Sequence, residues 1–142
     1  MWAVPVALSL GVPLPTIAQA VFARDLSCRA QVRAAMSRQA APHELPALDR
    51  DAFAEKIRRA LYASKLCSYA QGFELLHQAS KHYHWDLDLG GIALLFRGGC
   101  IIRAAFLDRL AQAYRACPTL ENLLLSSDFA SVLTQYQSDW RD

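Results

Sequence analysis

Ala60–Phe73 reads ALYASKLCSYAQGF and lies inside a much longer run of helical periodicity. Phe53, Ile57, Ala60, Leu61, Leu66, Tyr69, Phe73 and Leu76 recur at helical spacing, which lines one face of an α-helix. Asp49 or Arg50 precedes this helix, which is read as Asp51–Tyr83. A run of over thirty residues is well beyond the usual ~10–14, so this element is expected to organise the fold. Gly72 sits within it at a cost of about 1 kcal/mol relative to alanine. A glycine there predicts close approach by another backbone, from this chain or from a partner.

The flanking sequence continues in the same class. Trp2–Leu10 reads as a short helix, with Pro5 near the first turn, where proline is tolerated. Gly11-Val12-Pro13 is a turn. Ile17, Val21, Phe22, Leu26 and Ala30 predict a single helix from about Pro15 to Arg38. Ala40–Leu48, with Pro42 and Pro46, reads as a loop. Past Trp85-Asp86-Leu87, Asp88 is a credible N-cap for a short helix ending near Phe96. Gly98-Gly99 breaks the chain before a helix expected from Ile101 to Ala116. Leu120–Leu125 is a brief helical turn, and Ser127 or Asp128 caps a last helix reaching Trp140. No strand-type alternation stands out. The expected class is all-α, a multi-helix domain spanning 1–142 around one long central helix.

Composition narrows the function. A chain of 142 residues is one domain's worth. Its hydrophobic content of 54% slightly exceeds the usual ~45–50% and suggests an apolar face awaiting a partner. The net charge of +2 is too small to argue for nucleic acid, and 12 of the 15 basic residues are arginines spread along helices. Cys28, Cys67, Cys100 and Cys117 form no CxxC pair, so they read as free, mostly buried thiols in a reducing cytoplasm. Ala18-Gln19-Ala20 mimics a signal-peptidase site, but no basic residue lies between Met1 and the apolar run, and Pro5, Pro13 and Pro15 divide it. Neither export nor a membrane span is expected.

No catalytic constellation emerges from the residues themselves. His82 and His84 are two apart and face different ways, while His43 and His77 are isolated, so no metal site is expected. Lys65 lacks an obvious carboxylate or tyrosine partner and reads as structural. Tyr62 and Tyr69 read as core. Gly90-Gly91 and Gly98-Gly99 follow no strand and read as helix-boundary glycines. Taken alone, Arg24 is an ordinary exposed helix arginine.

Four motifs change that reading. ALYASKLCSYAQGF is followed by FRGGCIIRAAFL at Phe96–Leu107. Upstream stand Gly11–Pro13 and VFARDL at Val21–Leu26, and downstream ENLLL at Glu121–Leu125 and DWR at Asp139–Arg141. In order and separation they resemble the all-helical C-terminal domain of the 6-phosphogluconate dehydrogenase family, across nearly the whole chain. That resemblance implies an NADP-dependent decarboxylating oxidoreductase of the pentose phosphate pathway, converting 6-phosphogluconate to ribulose 5-phosphate and CO2. It implies a role in substrate phosphate binding for Arg24, the arginine of VFAR, whose planar fork suits bidentate bonds to phosphate. It implies a pocket-lining role for Ile101, although helix-start packing explains that residue as well. Arg97 and Arg103 bracket the GGCII turn and read as structural.

The resemblance also implies what these residues do not supply. The family's general base, general acid and GxGxxG cofactor fold match nothing here, so no residue is assigned as catalytic or NADP-binding, and the chain alone is expected to be inactive. A Lys-Gly-Thr-Gly loop expected before Trp2 and a tail that crosses into the neighbouring subunit are not matched either. Ala30-Gln31-Val32-Arg33 replaces a more charged cluster. The implied partners are 6-phosphogluconate, bound weakly if at all, and either a second copy or a full-length dehydrogenase. The alternative is a non-catalytic helical module derived from the family; a more distant one is an exported helical protein.

Overall fold

The computed structural model describes residues 2–40 and 49–142. The loop read at Ala40–Leu48 lies beyond Ala40 outside the described residues, as does His43. Seven α-helices follow in order: α1 Ala3–Leu10, α2 Pro15–Ser27, α3 Ala30–Gln39, α4 Arg50–Tyr83, α5 Leu89–Leu95, α6 Leu107–Ala116 and α7 Ser127–Arg141. A single 3₁₀ turn, Leu123–Leu125, precedes α7. Among the described residues there is no strand, and no helix is long and apolar enough to cross a membrane.

Helix α4 has 34 residues and spans roughly 50 Å at 1.5 Å per residue. Asp49 starts it: its carboxylate accepts from the amides of Asp51 and Ala52 at 3.1 and 3.2 Å, two donors that have no partner inside the helix. His84, in the left-handed conformation at φ 57°, ends it. The carboxyl-terminal half buries Leu66, Tyr69, Ala70 and Phe73 against α5, α6 and the 3₁₀ turn. Phe106 centres this core. Its ring meets Tyr62, Tyr69 and Phe129 edge-on at centroid separations of 5.7, 4.9 and 6.4 Å. Phe73 stacks on Tyr114 at 5.6 Å. Aromatic pairs of this kind add about 0.5–1.5 kcal/mol each beyond the area they bury.

Helix α7 lies antiparallel along the other half of α4. Lys56 pairs with Asp142, Arg59 with Asp139 and Tyr62 with Tyr136, so each three-residue step along α4 meets a three-residue step back along α7. The Lys56–Asp142 pair is exposed and contributes little, whereas the Arg59–Asp139 pair is partly buried; what both record is register. Asp128, expected as a possible cap, instead takes a bidentate contact from Arg109 of α6 at 2.6 and 2.8 Å, and Ser126 occupies the N-cap position.

Several further expectations need correction. The helix expected over Pro15–Arg38 is two helices. The Arg24 carbonyl still accepts the Cys28 amide at 3.1 Å, the Arg29 amide turns to the Leu26 carbonyl at 3.1 Å, and Arg29 leaves the helical region with ψ 60°. No side chain of α2 or α3 is buried, so packing does not hold the two in line. The helix expected from Ile101 begins only at Leu107. Residues 100–106 form successive turns, closed by Arg103 N–H to Cys100 O and Leu107 N–H to Ala104 O, that carry Phe106 into the aromatic core. Phe53, Ile57 and Leu61, read as part of a buried stripe, are exposed because α7 covers the opposite side and no described element covers theirs. Finally, of the four free cysteines only Cys67 and Cys100 are half-buried; Cys28 and Cys117 are exposed where α2 and α6 end.

Among the described residues, no second backbone meets Gly72. A Cβ there would have one neighbour among the described residues, Ile17 Cδ1 at 4.0 Å, an ordinary contact. Gly72→Ala should therefore stabilise the chain by about 0.5–1 kcal/mol, the helix-propensity difference. Urea unfolding checks this, and a destabilised variant would show that something outside the described residues occupies that space.

Candidate functional site

The helix that carries VFAR and the turn that carries GCII lie on either side of α4 in the sequence, and both reach its middle. Helix α2 crosses α4 near Gln71 and Gly72. The turn after Gly99 returns the chain to the same stretch, so Ile17 of α2 and Ile102 of the turn line one apolar cleft of about 300 Å³ with Tyr69, Gly72, Phe73 and Phe96. Gly99 makes that turn possible at φ 63°, a conformation glycine adopts without steric cost.

Arg24 lies seven residues past Ile17, about 10 Å further along α2. It is exposed, and its guanidinium makes no ion pair or hydrogen bond among the described residues. An exposed arginine with all its donors free can present its fork to an anion without first breaking a bond. Ile101 is fully exposed in the turn after Gly99. Helix-start packing is thus ruled out for it, because α6 begins six residues later and Ile101 touches no core. The half-exposed neighbour Ile102 is the residue that lines the cleft.

Arg97 closes an ion pair with Asp108 at 2.8 Å, bridging the end of α5 to the first turn of α6 across the loop, in keeping with a structural role. Lys65 is exposed, so it lacks the desolvation that would activate an amine. A larger cleft of about 680 Å³ lies by the carboxyl end of α4, lined among others by His77, Lys81, Tyr114 and Arg115. Burial, with Lys81 beside it, holds the His77 imidazole below its ordinary pKa, and burial pushes the Tyr114 phenol up to about 12. Both groups are neutral at physiological pH. Among the described residues no three His, Cys, Asp or Glu side chains gather as a metal site would require.

Sequence reasoning missed Gln71. Its side chain reaches the start of α2, where Oε1 accepts from the Thr16 and Ile17 amides at 3.0 and 3.4 Å and Nε2 donates to Thr16 Oγ1 at 2.9 Å. A polar residue one place from Gly72 in an apolar motif was the available signal.

Comparison with known proteins decides the family. The model of the 6-phosphogluconate dehydrogenase C-terminal domain matches residues 1–142. The chain belongs to the 6-phosphogluconate dehydrogenase family. It is 46% identical over 142 residues to the NADP(+)-dependent, decarboxylating 6-phosphogluconate dehydrogenase of Bacillus subtilis, with 99% of this chain and 30% of that protein covered. It is 49% identical to the decarboxylating enzyme of Synechococcus elongatus over the same shares, and 46% identical to that of Rattus norvegicus, covering 29% of it. Among solved structures, Plasmodium falciparum 6-phosphogluconate dehydrogenase superposes with a TM-score of 0.87 at 38% identity, covering 99% of this chain and 31% of that one. Its structures include the apo form and complexes with its cofactor NADP+ and its substrate 6-phosphogluconate. This chain thus spans about 30% of the length of the relatives it matches.

Neither glycine pair of this domain forms a dinucleotide cradle. A pyrophosphate cradle needs free amides at a helix N-terminus. At α5 the Gly91 amide already donates to Asp88 Oδ1 at 2.9 Å, and that carboxylate would repel a phosphate. Gly98-Gly99 leads into turns rather than a helix.

Proposed function

We propose that this chain is the substrate-binding and dimerisation domain of a decarboxylating 6-phosphogluconate dehydrogenase, which oxidises 6-phosphogluconate with NADP and releases ribulose 5-phosphate, CO2 and NADPH. The observation that carries the reading is the match of residues 1–142 to the family's C-terminal-domain model, together with relatives of that name that cover 99% of the chain. Arg24 is its phosphate contact, and Ile101, projecting from the GCII turn, meets the substrate from the other side. Both roles follow from the VFAR and GCII motifs and are compatible with the free guanidinium and the exposed isoleucine. The cytoplasm is the compartment such a reaction implies.

The second half of the proposal rests on surface. Phe22 and Leu26 on α2, Val32 and Met36 on α3, and Phe53, Ile57 and Leu61 on α4 are all at least 45% exposed. Large exposed apolar surface on a globular protein marks an interaction site. Helix α3 has ten residues and no buried side chain, whereas isolated helices shorter than ~12–15 residues are marginal in water. A second copy of the domain, packed on these helices, supplies the missing contact. The same surface serves the runner-up reading, a helical module that associates with an intact dehydrogenase without catalysing anything itself.

Three outcomes are expected. Titrating 6-phosphogluconate into the chain, followed by NMR, should give binding no tighter than millimolar. One charged contact contributes about 1.5–3 kcal/mol and 1 mM requires about 4. Arg24→Ala should abolish the shifts. Micromolar binding that survives Arg24→Ala would misplace the site, and no shifts at tens of millimolar would favour the module. The 142 residues alone should form no NADPH from 6-phosphogluconate in a coupled absorbance assay free of host enzyme, because the family's general base, general acid and GxGxxG cofactor fold match nothing in them. In sedimentation, a dimer or larger species should dominate at micromolar concentration, and a clean monomer across that range would count against the interface.

A further inference from the structure

We propose that Gln71 is a positioning residue for Arg24, acting through the start of α2; the inference rests on Arg24 being the phosphate contact. Helix α2 begins without a cap of its own. Pro15 has no amide hydrogen, and the N-cap residue, Leu14, has no side-chain acceptor. The Thr16 and Ile17 amides would therefore be orphan donors, as first-turn amides are in any helix. Gln71 takes both on Oε1 and returns Nε2–H to Thr16 Oγ1, so one side chain of α4 does the work of an N-cap in trans.

What makes this more than local satisfaction is how little else holds α2. None of its side chains is buried. Leu14, just before it, packs with Ala7 and Val12, and Ile17 lies against that cluster beside Leu10 and Leu75. From Phe22 onward every α2 residue is exposed. Among the described residues, the three Gln71 contacts are the side-chain hydrogen bonds joining α2 to the rest of the chain. Among the described residues of one copy, helix α2 is thus pinned at one end and unsupported at the other, with Arg24 about 10 Å from the pin. A tilt of roughly 10° about the pinned end moves the guanidinium by ~2 Å. Charge-assisted bonds to phosphate form at about 2.7–2.9 Å, so a displacement of that size breaks a bidentate contact.

The amide is also the side chain that suits the position. One oxygen receives two amides, and one nitrogen answers a hydroxyl. Glutamate keeps the acceptor, lets Thr16 Oγ1 turn its hydrogen outward as the donor, and adds a negative charge at the positive end of a helix, where it is favourable. Methionine keeps the length and loses every bond.

The test uses the full chain as wild type, Gln71→Met, Gln71→Glu and Arg24→Ala, with residual dipolar couplings of the α2 amides read against those of α4, and 6-phosphogluconate affinity read by NMR titration. Gln71→Met should reorient or loosen α2 and weaken affinity about tenfold, while Gln71→Glu restores both towards wild type. A merely structural glutamine would change melting temperature without this paired change in α2 couplings and affinity. Unchanged α2 couplings in Gln71→Met overturn the proposal whether or not ligand binds. Altered couplings with unchanged affinity overturn it as well, provided that Arg24→Ala itself weakens binding. If Arg24→Ala binds like wild type, the assignment of Arg24 falls first, and the role given to Gln71 falls with it.

Discussion

The described fold depends on the burial of Phe106 against the middle of α4. Its ring is edge-on to Tyr62, Tyr69 and Phe129, which brings together residues of α4, the GCII turn and α7. Because Phe106 must reach that position, the six residues before it cannot be helix. They form turns instead, and the turns leave Ile101 in solvent and Ile102 over the apolar cleft. The placement of one candidate site residue is thereby a by-product of packing an aromatic ring five residues later.

A second constraint is the length of α4. Its carboxyl-terminal half is enclosed by α5, α6 and the 3₁₀ turn, and among the described residues its amino-terminal half has α7 on one side only. A helix of 34 residues has more apolar circumference than these neighbours can cover. The uncovered remainder, Phe53, Ile57 and Leu61, is the part most naturally assigned to a partner. Under the proposed function the site and the interface would be two uses of one rod, with Gln71 on the side of the site and the first three turns on the side of association.

Much of the architecture was legible from residues alone. The all-α class, the extent of α4, the Asp88 cap and the buried Leu66, Tyr69 and Phe73 all follow from periodicity and capping chemistry. What periodicity could not tell is which apolar stripe has a neighbour. Phe53 and Phe73 have the same pattern in sequence, yet Phe73 is 2% exposed and Phe53 45%. The break between α2 and α3 escaped for another reason: it lies in the backbone at Arg29, on a stretch with no buried side chain, and no pattern of apolar residues records that. Arg24 and Ile101 could be singled out only through the motifs they belong to, since neither carries a geometric or electrostatic signature of its own. Gln71 became visible only when α2 and α4 were seen to cross.

The distribution of the core along the chain has a kinetic consequence. Every buried member of the aromatic core lies between Leu66 and Phe129, a nearly continuous half of the sequence, whereas the smaller cluster of Ala7, Val12 and Leu14 meets it only through the α4 residues around Gly72 and Leu75. Segments whose contacts are close in sequence assemble early, and those with few buried contacts open most readily. The second half is thus built to fold as an autonomous unit, onto which the first forty residues dock late. During synthesis the arginine-bearing helix leaves the ribosome well before the surface that orients it exists, and it must wait, solvated and undirected, until the middle of the long helix has formed.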